Sequence, residues 1–88
     1  NLLVGMTVSQ DNRLINNVII EIKDRSGLPI RTAKSNNLAQ FFFAIPLKNG
    51  IYTITAEHDQ YHFAEQQVQV TGEIIPPLRL VSQEAFVS

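Results

Sequence analysis

The chain of 88 residues contains no cysteine, which excludes disulfide bonds, thiolate-bound zinc and cysteine nucleophiles together. The formal net charge is only −1, so no basic excess is present to bind nucleic acid or an anionic membrane. No apolar run is long enough to span a bilayer, and we expect no direct membrane insertion. No signal peptide opens the chain, so we expect a module of a longer protein whose targeting information lies elsewhere.

Signatures of catalysis are also missing. The chain has only four glycines, and they form neither a phosphate-binding loop nor a nucleophile elbow. The carboxylates of Glu57 and Asp59 stand beside a turn, where solvated capping is their ordinary role. We therefore expect a protein that is not an enzyme and that has no catalytic residues and no cofactor.

Two histidines, His58 and His62, lie four residues apart in EHDQYH. On a helix this spacing would place both imidazoles on one face, an arrangement that zinc sites use. Here the segment spans a strand end and a loop, and structural zinc needs four ligands, for which no further candidates are apparent. We interpret both histidines as solvated loop residues and predict no metal. A small hydrolase or metal site at this position is the alternative, and a metal-dependent shift in melting temperature would test it.

What the sequence does contain is a series of short β-rich runs. They are separated by turn residues about every 8 to 12 positions, the spacing typical of an all-β sandwich or barrel. We predict one β-sandwich domain over residues 1–82, followed by a tail or linker at 83–88. The seven candidate strands are residues 2–9, 17–24, 30–35, 40–47, 51–58, 65–70 and 74–81.

Alternation along three of these runs assigns their faces. A strand directs successive side chains to opposite sides, so every second residue shares a face. The predicted core positions are Val18, Ile20, Ile22, Tyr52, Ile54, Ala56, Val68 and Val70.

Residues 17–61, NVIIEIKDRSGLPIRTAKSNNLAQFFFAIPLKNGIYTITAEHDQY, resemble the carboxypeptidase regulatory-like modules, also known as transthyretin-like and Cna B-type modules. The motifs that carry the resemblance are the buried strand 18–22, the turn at Gly27, the element 35–43, and the segments 50–52 and 60–61. The resemblance implies a seven-stranded immunoglobulin-like (prealbumin-like) two-sheet sandwich that serves as a non-catalytic spacer, stabiliser or docking domain. More loosely, GEIIPPLRL and AKSNNLAQFF resemble C-terminal modules of conjugative type IV secretion membrane proteins.

The sequence departs from the family pattern at two glycines, which are replaced by Ala39 and Gln60. If the turn before the phenylalanine strand still needs a positive φ, an asparagine adopts it at the lowest cost. We therefore expect Asn36 or Asn37 to adopt the left-handed conformation.

Three consecutive phenylalanines, Phe41 to Phe43, cannot all enter one core. The family register buries Phe41 and Phe43 and turns Phe42 outward, beside a first strand whose inward residues are Leu3 and Thr7. Apolar alternation predicts the opposite for the first strand, with its even-numbered residues buried. If the family register holds, an apolar outer face forms that would be a docking or dimer surface; its members are Val4, Met6, Val8, Phe42 and Val81.

We therefore predict a non-catalytic structural or interaction module of a larger bacterial envelope or surface protein. It would work in the cell envelope or at the extracellular surface, as a spacer or protein-docking domain. Its partner would be another protein or a second copy, bound through the apolar face. The alternative is a carbohydrate- or peptide-binding module, which would need aromatic residues gathered in a groove. Tyr52 and Tyr61 look instead like core and corner residues.

Overall fold

A computed structural model describes residues 2–83, and in this part of the chain every regular element is a β-strand. None of these residues forms a helix that is long and apolar enough to cross a membrane. The strands are β1 Leu2–Val8, β2 Ile19–Lys23, β3 Pro29–Lys34, β4 Gln40–Ala44, β5 Gly50–Glu57, β6 His62–Phe63, β7 Gln66–Val70 and β8 Leu78–Gln83.

Each of the seven predicted runs overlaps one strand, so the all-β sandwich prediction is confirmed. The eighth strand, β6, has only two residues and lies just after the predicted loop at 57–61. A segment this short carries no alternation, and its pairing with β5 and β8 depends on tertiary contacts. The predicted domain end at residue 82 falls inside β8, and residues 84–88 of the predicted tail lie outside the described residues.

The strands form two layers. In the first, here named the β1 sheet, β1 pairs antiparallel with β4 on one side and parallel with β8 on the other. In the second, named the β5 sheet, the order is β3-β2-β5-β7 and all pairs are antiparallel. The short β6 pairs with both β5 and β8 and joins the two layers at one end.

The core between the layers is built from alternate side chains of both sheets. Phe41 and Phe43 lie at its centre, with ring centroids 6.0 Å apart at an interplanar angle of 67°. The predicted core positions are all buried, except Ala56, which is half-buried against the core. The other fully buried members from the β1 sheet and its connections include Leu3, Thr7, Ala39 and Leu80.

The first strand follows the family register, with Leu3, Gly5 and Thr7 inward, and the alternation-based assignment is wrong. Gly5 pairs with Phe41, and a Cβ on Gly5 would lie 2.4 Å from Cζ of that ring. The glycine therefore makes room for the aromatic ring. Thr7 is buried without cost to its hydroxyl, which donates a 2.6 Å hydrogen bond to the carbonyl of Ile15.

Three five-residue turns share one backbone pattern. In each, the first residue accepts a hydrogen bond from the N–H of the fourth and donates its own N–H to the carbonyl of the fifth. A side-chain oxygen of the first residue also accepts the N–H of the fifth. The fourth residue has a positive φ, as in hairpin loops that end in a left-handed residue. The turns are residues 9–13, 24–28 and 36–40, with Asn12, Gly27 and Ala39 in the left-handed position.

The expectation that Asn36 or Asn37 supplies the positive φ is therefore wrong. Ala39 itself adopts φ 59°, although it carries a Cβ and is fully buried. Asn36 is engaged as the cap, because its Oδ1 accepts the N–H groups of Leu38 and Gln40 at 2.9 and 3.0 Å. This side chain closes the turn, and the fourth position must then take the left-handed conformation whichever residue occupies it.

Asp24 caps the corresponding turn of the β5 sheet. Its carboxylate accepts hydrogen bonds from the Ser26 hydroxyl and from the backbone N–H groups of Ser26 and Leu28. These bonds favour the charged form, so the Ser26 hydroxyl and then the Leu28 N–H lower the pKa of Asp24 below its ordinary value.

Candidate functional site

The outer side of the β1 sheet carries a group of apolar side chains. Cross-strand partners point to the same side of a sheet, and the register pairs Val4 with Phe42 and Leu2 with Ala44. Met6 continues the row along β1, opposite Gln40. We name Leu2, Val4, Met6 and Phe42 the apolar face.

The apolar face is open to solvent. Phe42 is 56% exposed, Leu2 is 55% exposed and Met6 is 36% exposed, while Val4 lies half-buried between them. Contiguous exposed apolar side chains of this kind are typical of surfaces that contact another molecule. Of the three consecutive phenylalanines, Phe41 and Phe43 therefore fill the core, and Phe42 lies on this face.

The face is almost free of charge. Among the outward positions of the described part of the β1 sheet, the one ionisable residue is Arg79, the register partner of Met6 in β8. Its guanidinium donates to the Oδ1 of Asn12 in the first turn. Asp11 lies in the first turn rather than on this face, and a hydrogen bond from the Ser9 hydroxyl lowers the pKa of its carboxyl.

Two shallow grooves flank the centre of the face. One of about 260 Å³ lies between β1 and β4, and a second of about 460 Å³ runs toward the segment before β8. Val4 and Pro77 line both grooves, so the grooves are adjacent. Ile74 stands at the rim and is 96% exposed.

Val8 does not belong to the exposed set, and the predicted surface must be corrected there. Its side chain is only 4% exposed, because the chain after the first turn returns and pairs Leu14 with Val8. On its other side Val8 pairs with Val81, which is half-buried. Val4, Met6 and Phe42 are thus brought together, whereas Val8 is covered and Val81 lies beyond it.

Three apolar residues of this region were not predicted: Leu2, Ile74 and Pro77. Leu2 has the same parity as Val4 and Met6, so the outward register of β1 already implied it. Ile74 and Pro77 precede β8 and lie outside any alternating pattern, and their place beside the face follows from the tertiary fold alone.

His58 and His62 line broad depressions at the end of the sandwich where β6 joins the two layers. The Nδ1 of His58 accepts the N–H of Gln60 at 3.1 Å, and its ring packs edge-on against Tyr61 with centroids 5.3 Å apart. Within residues 2–83 no three His, Cys, Asp or Glu side chains are grouped so as to hold a metal ion. The local contacts give His58 a role in the turn.

The tyrosines do not form a binding platform for sugars. Tyr52 is buried, and its hydroxyl donates a 2.6 Å hydrogen bond to the carbonyl of Lys48. Tyr61 is half-buried and packs against His58 and the core. Phe42 is therefore the exposed aromatic ring of the apolar face.

Together, the two-layer fold and the apolar face define a β-sandwich domain whose β1 sheet exposes apolar side chains on its outer side. The chain belongs to the family described as BOS complex subunit NOMO1-like, second beta sandwich domain, whose model matches residues 2–75. No curated protein sequence matches the chain.

The family is a β-sandwich family related in kind to the prealbumin-like and carboxypeptidase regulatory-like folds, so the predicted resemblance is confirmed at that level. The family description names a domain of a complex subunit, which agrees with a non-catalytic module. The narrower Cna B-type and type IV secretion resemblances stay predictions.

Proposed function

We propose that this domain is a non-catalytic module of a larger protein and that its apolar face docks a protein partner. The observation that carries the proposal is the group of neighbouring apolar side chains across β1 and β4, of which Leu2, Met6 and Phe42 are exposed. Burying such a face against a partner removes apolar area from water, at about 25 cal/mol for each Å².

The composition of the face suits this role. Phe42 is a rigid aromatic side chain at its centre, and aromatic residues of this kind commonly carry a large share of binding energy. Met6 beside it is flexible and polarisable, so it can adapt its shape to a partner. The matched family is described as a domain of a complex subunit, which supports a protein as the partner.

The cellular setting is part of the same proposal. We place the parent protein in the cell envelope or at the extracellular surface, as the sequence resemblance implies. The family description names a complex and does not mention a bacterial envelope. Among the described residues nothing favours the carbohydrate-binding alternative, because Tyr52 and Tyr61 are engaged elsewhere.

The test compares two matched substitutions in the full-length parent protein. Phe42→Asp places a charge at the centre of the apolar face, whereas Ile51→Asp places the same charge at an exposed isoleucine on the outer side of the β5 sheet. Purified complexes are compared by quantitative mass spectrometry of their subunits. Phe42→Asp is expected to reduce one subunit by about tenfold or more, since a buried unpaired charge is costly.

Ile51→Asp is expected to leave the subunit composition unchanged. Equal composition of the wild-type and Phe42→Asp complexes would contradict the docking role. Thermal unfolding of both variants shows that each domain is folded before the comparison is made.

A further inference from the structure

The edge of β4 that faces away from β1 presents backbone N–H and C=O groups, and this edge is distinct from the apolar face. Thr7 donates its N–H to the carbonyl of Ala39, so this pair is a hydrogen-bonded one. Antiparallel strands alternate hydrogen-bonded and non-hydrogen-bonded pairs. Phe41 and Phe43 therefore direct their backbone groups toward β1, and Phe42 and Ala44 direct theirs away from it.

The contacts of Gln40 support this assignment. Its N–H donates to the Oδ1 of Asn36 at 3.0 Å, and its carbonyl accepts the N–H of Asn36 at 2.9 Å. Both groups thus face away from β1, as the alternation requires. Two residues and four residues further along, Phe42 and Ala44 have the same orientation, and among residues 2–83 no hydrogen bond reaches their free N–H and C=O groups.

The outer strand β3 carries the features that prevent edge pairing. It begins with Pro29, contains Arg31 and Lys34, and pairs with β2 through a register shift. The outer strand β7 shares with β4 the lack of charge and proline, and its first residue, Gln66, donates from its side chain to the carbonyl of Arg79 at 3.3 Å. β4, with the sequence QFFFA, contains no charge and no proline, and its pairing with β1 is regular.

We propose that β4 pairs edge to edge with β4 of a second copy of this chain, in antiparallel register about a two-fold axis beside Phe43. In this register Phe42 lies opposite Ala44 of the other copy, and the reverse pair is formed by symmetry. The free N–H and C=O groups of both residues are then all satisfied by four reciprocal hydrogen bonds. The two β1 sheets become one continuous six-stranded sheet.

A second copy fits this edge because the edge is self-complementary. Its free backbone groups are those of Phe42 and Ala44. Before them, the N–H and carbonyl of Gln40 are already hydrogen-bonded to Asn36, and after them Pro46 has no N–H. The register places a large ring against a small exposed methyl group on the outer face, which avoids a clash between two rings. The absence of a charged side chain on β4 leaves no repulsion between the paired strands.

Sedimentation equilibrium of the 88-residue chain, from micromolar to millimolar concentration, tests this pairing. Ala44→Pro removes one free donor without touching a hydrogen bond to β1, and Ala44→Lys places a charge opposite the partner's Phe42. Ala44→Ser keeps the donor and a small side chain and is the matched control. We expect a concentration-dependent dimer that Ala44→Pro and Ala44→Lys weaken by about tenfold or more and that Ala44→Ser retains.

A monomer at all concentrations would overturn the proposal, and so would a dimer that persists in both Ala44→Pro and Ala44→Lys. Met6→Asp separates the edge from the face, because it changes the apolar face and leaves the β4 backbone intact. A dimer lost in Met6→Asp and kept in Ala44→Lys would assign self-association to the face and contradict edge pairing. Partner docking in the parent protein, measured with Phe42→Asp and Met6→Asp, can fail or succeed independently of this result.

Discussion

The two sheets of the sandwich have similar inner sides and different outer sides. Inward, both present branched aliphatic and aromatic side chains to one core. Outward, the β1 sheet shows the apolar face and a single charge, whereas the β5 sheet carries a largely polar surface on which Ile19 and Ile51 are separate exposed apolar residues. The outward residues of the β5 sheet include Glu21, Lys23, Thr32, Lys34, Thr53, Thr55, Gln67 and Gln69.

The difference between the two outer sides indicates which side chains the core of the sandwich needs and which it does not need. An antiparallel sheet with one face on the core commonly has a solvated polar face on its other side, and the β5 sheet largely has this arrangement. On that polar face Lys23 and Glu21 approach to 3.6 Å, a partly exposed pair of the kind that contributes little to stability. The outward apolar residues of the β1 sheet are therefore not needed to complete the core, and the docking role proposed above gives them a use.

The largest expected effect is at the phenylalanines of β4, where neighbouring residues lie on the core side and on the outer side of the same sheet. Phe43→Ala should lower the free energy of unfolding by about 4 kcal/mol, because it leaves a cavity in the core. Phe42→Ala, one residue earlier, should lower it by less than about 1 kcal/mol, since only a cross-strand contact with Val4 is lost. Urea unfolding of both variants measures the difference. Equal losses would mean that Phe42 is a core residue and that no apolar face exists.

A second test addresses the register of β1, which decides what lies on each side. A Cβ at Gly5 would lie 2.4 Å from Cζ of Phe41 and 2.7 Å from the Leu78 carbonyl oxygen, so neither a buried ring nor a backbone can yield easily. Gly5→Ala should therefore cost about 2 kcal/mol in urea unfolding. Met6→Ala, on the outward side, is the control and should cost less than about 1 kcal/mol. A fully stable Gly5→Ala variant would show that β1 is turned the other way.

Much of the fold could be predicted because, in three strands, apolar and polar residues mostly alternate. In β2, β5 and β7 one parity is mainly apolar and the other mainly polar, with Ile19 and Ile51 as exceptions, and the structure buries the expected side of each. β1 is ambiguous, since Leu2, Val4 and Met6 are as apolar as Leu3. The decision depends on two tertiary facts, the space that Phe41 needs at Gly5 and the acceptor that the Thr7 hydroxyl finds at Ile15.

Part of the candidate site could also be predicted from the sequence. Val4, Met6 and Phe42 follow from the register that the family resemblance supplied, and the structure places them side by side. Val8 shares their parity but is covered by the chain that follows the first turn, a long-range effect that alternation cannot contain. Ile74 reaches the rim from an irregular segment, where no periodicity applies.

The smallest expected effect concerns the two turns that precede β3 and β4. Gly27, in the turn between β2 and β3, and Ala39, in the turn before β4, have the same left-handed role with φ 87° and 59°. Gly27→Ala meets no neighbour within 4 Å, so its cost is the backbone penalty of an alanine, about 1 kcal/mol.

Ala39→Gly should change the free energy of unfolding by nearly nothing, because relief of that same penalty offsets the loss of a buried methyl group, about 0.8 kcal/mol. Ala33→Gly, in the extended strand β3, is the control and should lose stability, since no strain is relieved there. Urea unfolding of the three variants distinguishes the cases. If Ala39→Gly were as damaging as Ala33→Gly, the left-handed alanine would carry no strain. The turn at residues 36–40 would then accept a Cβ at its fourth position without cost, unlike the turn at residues 24–28.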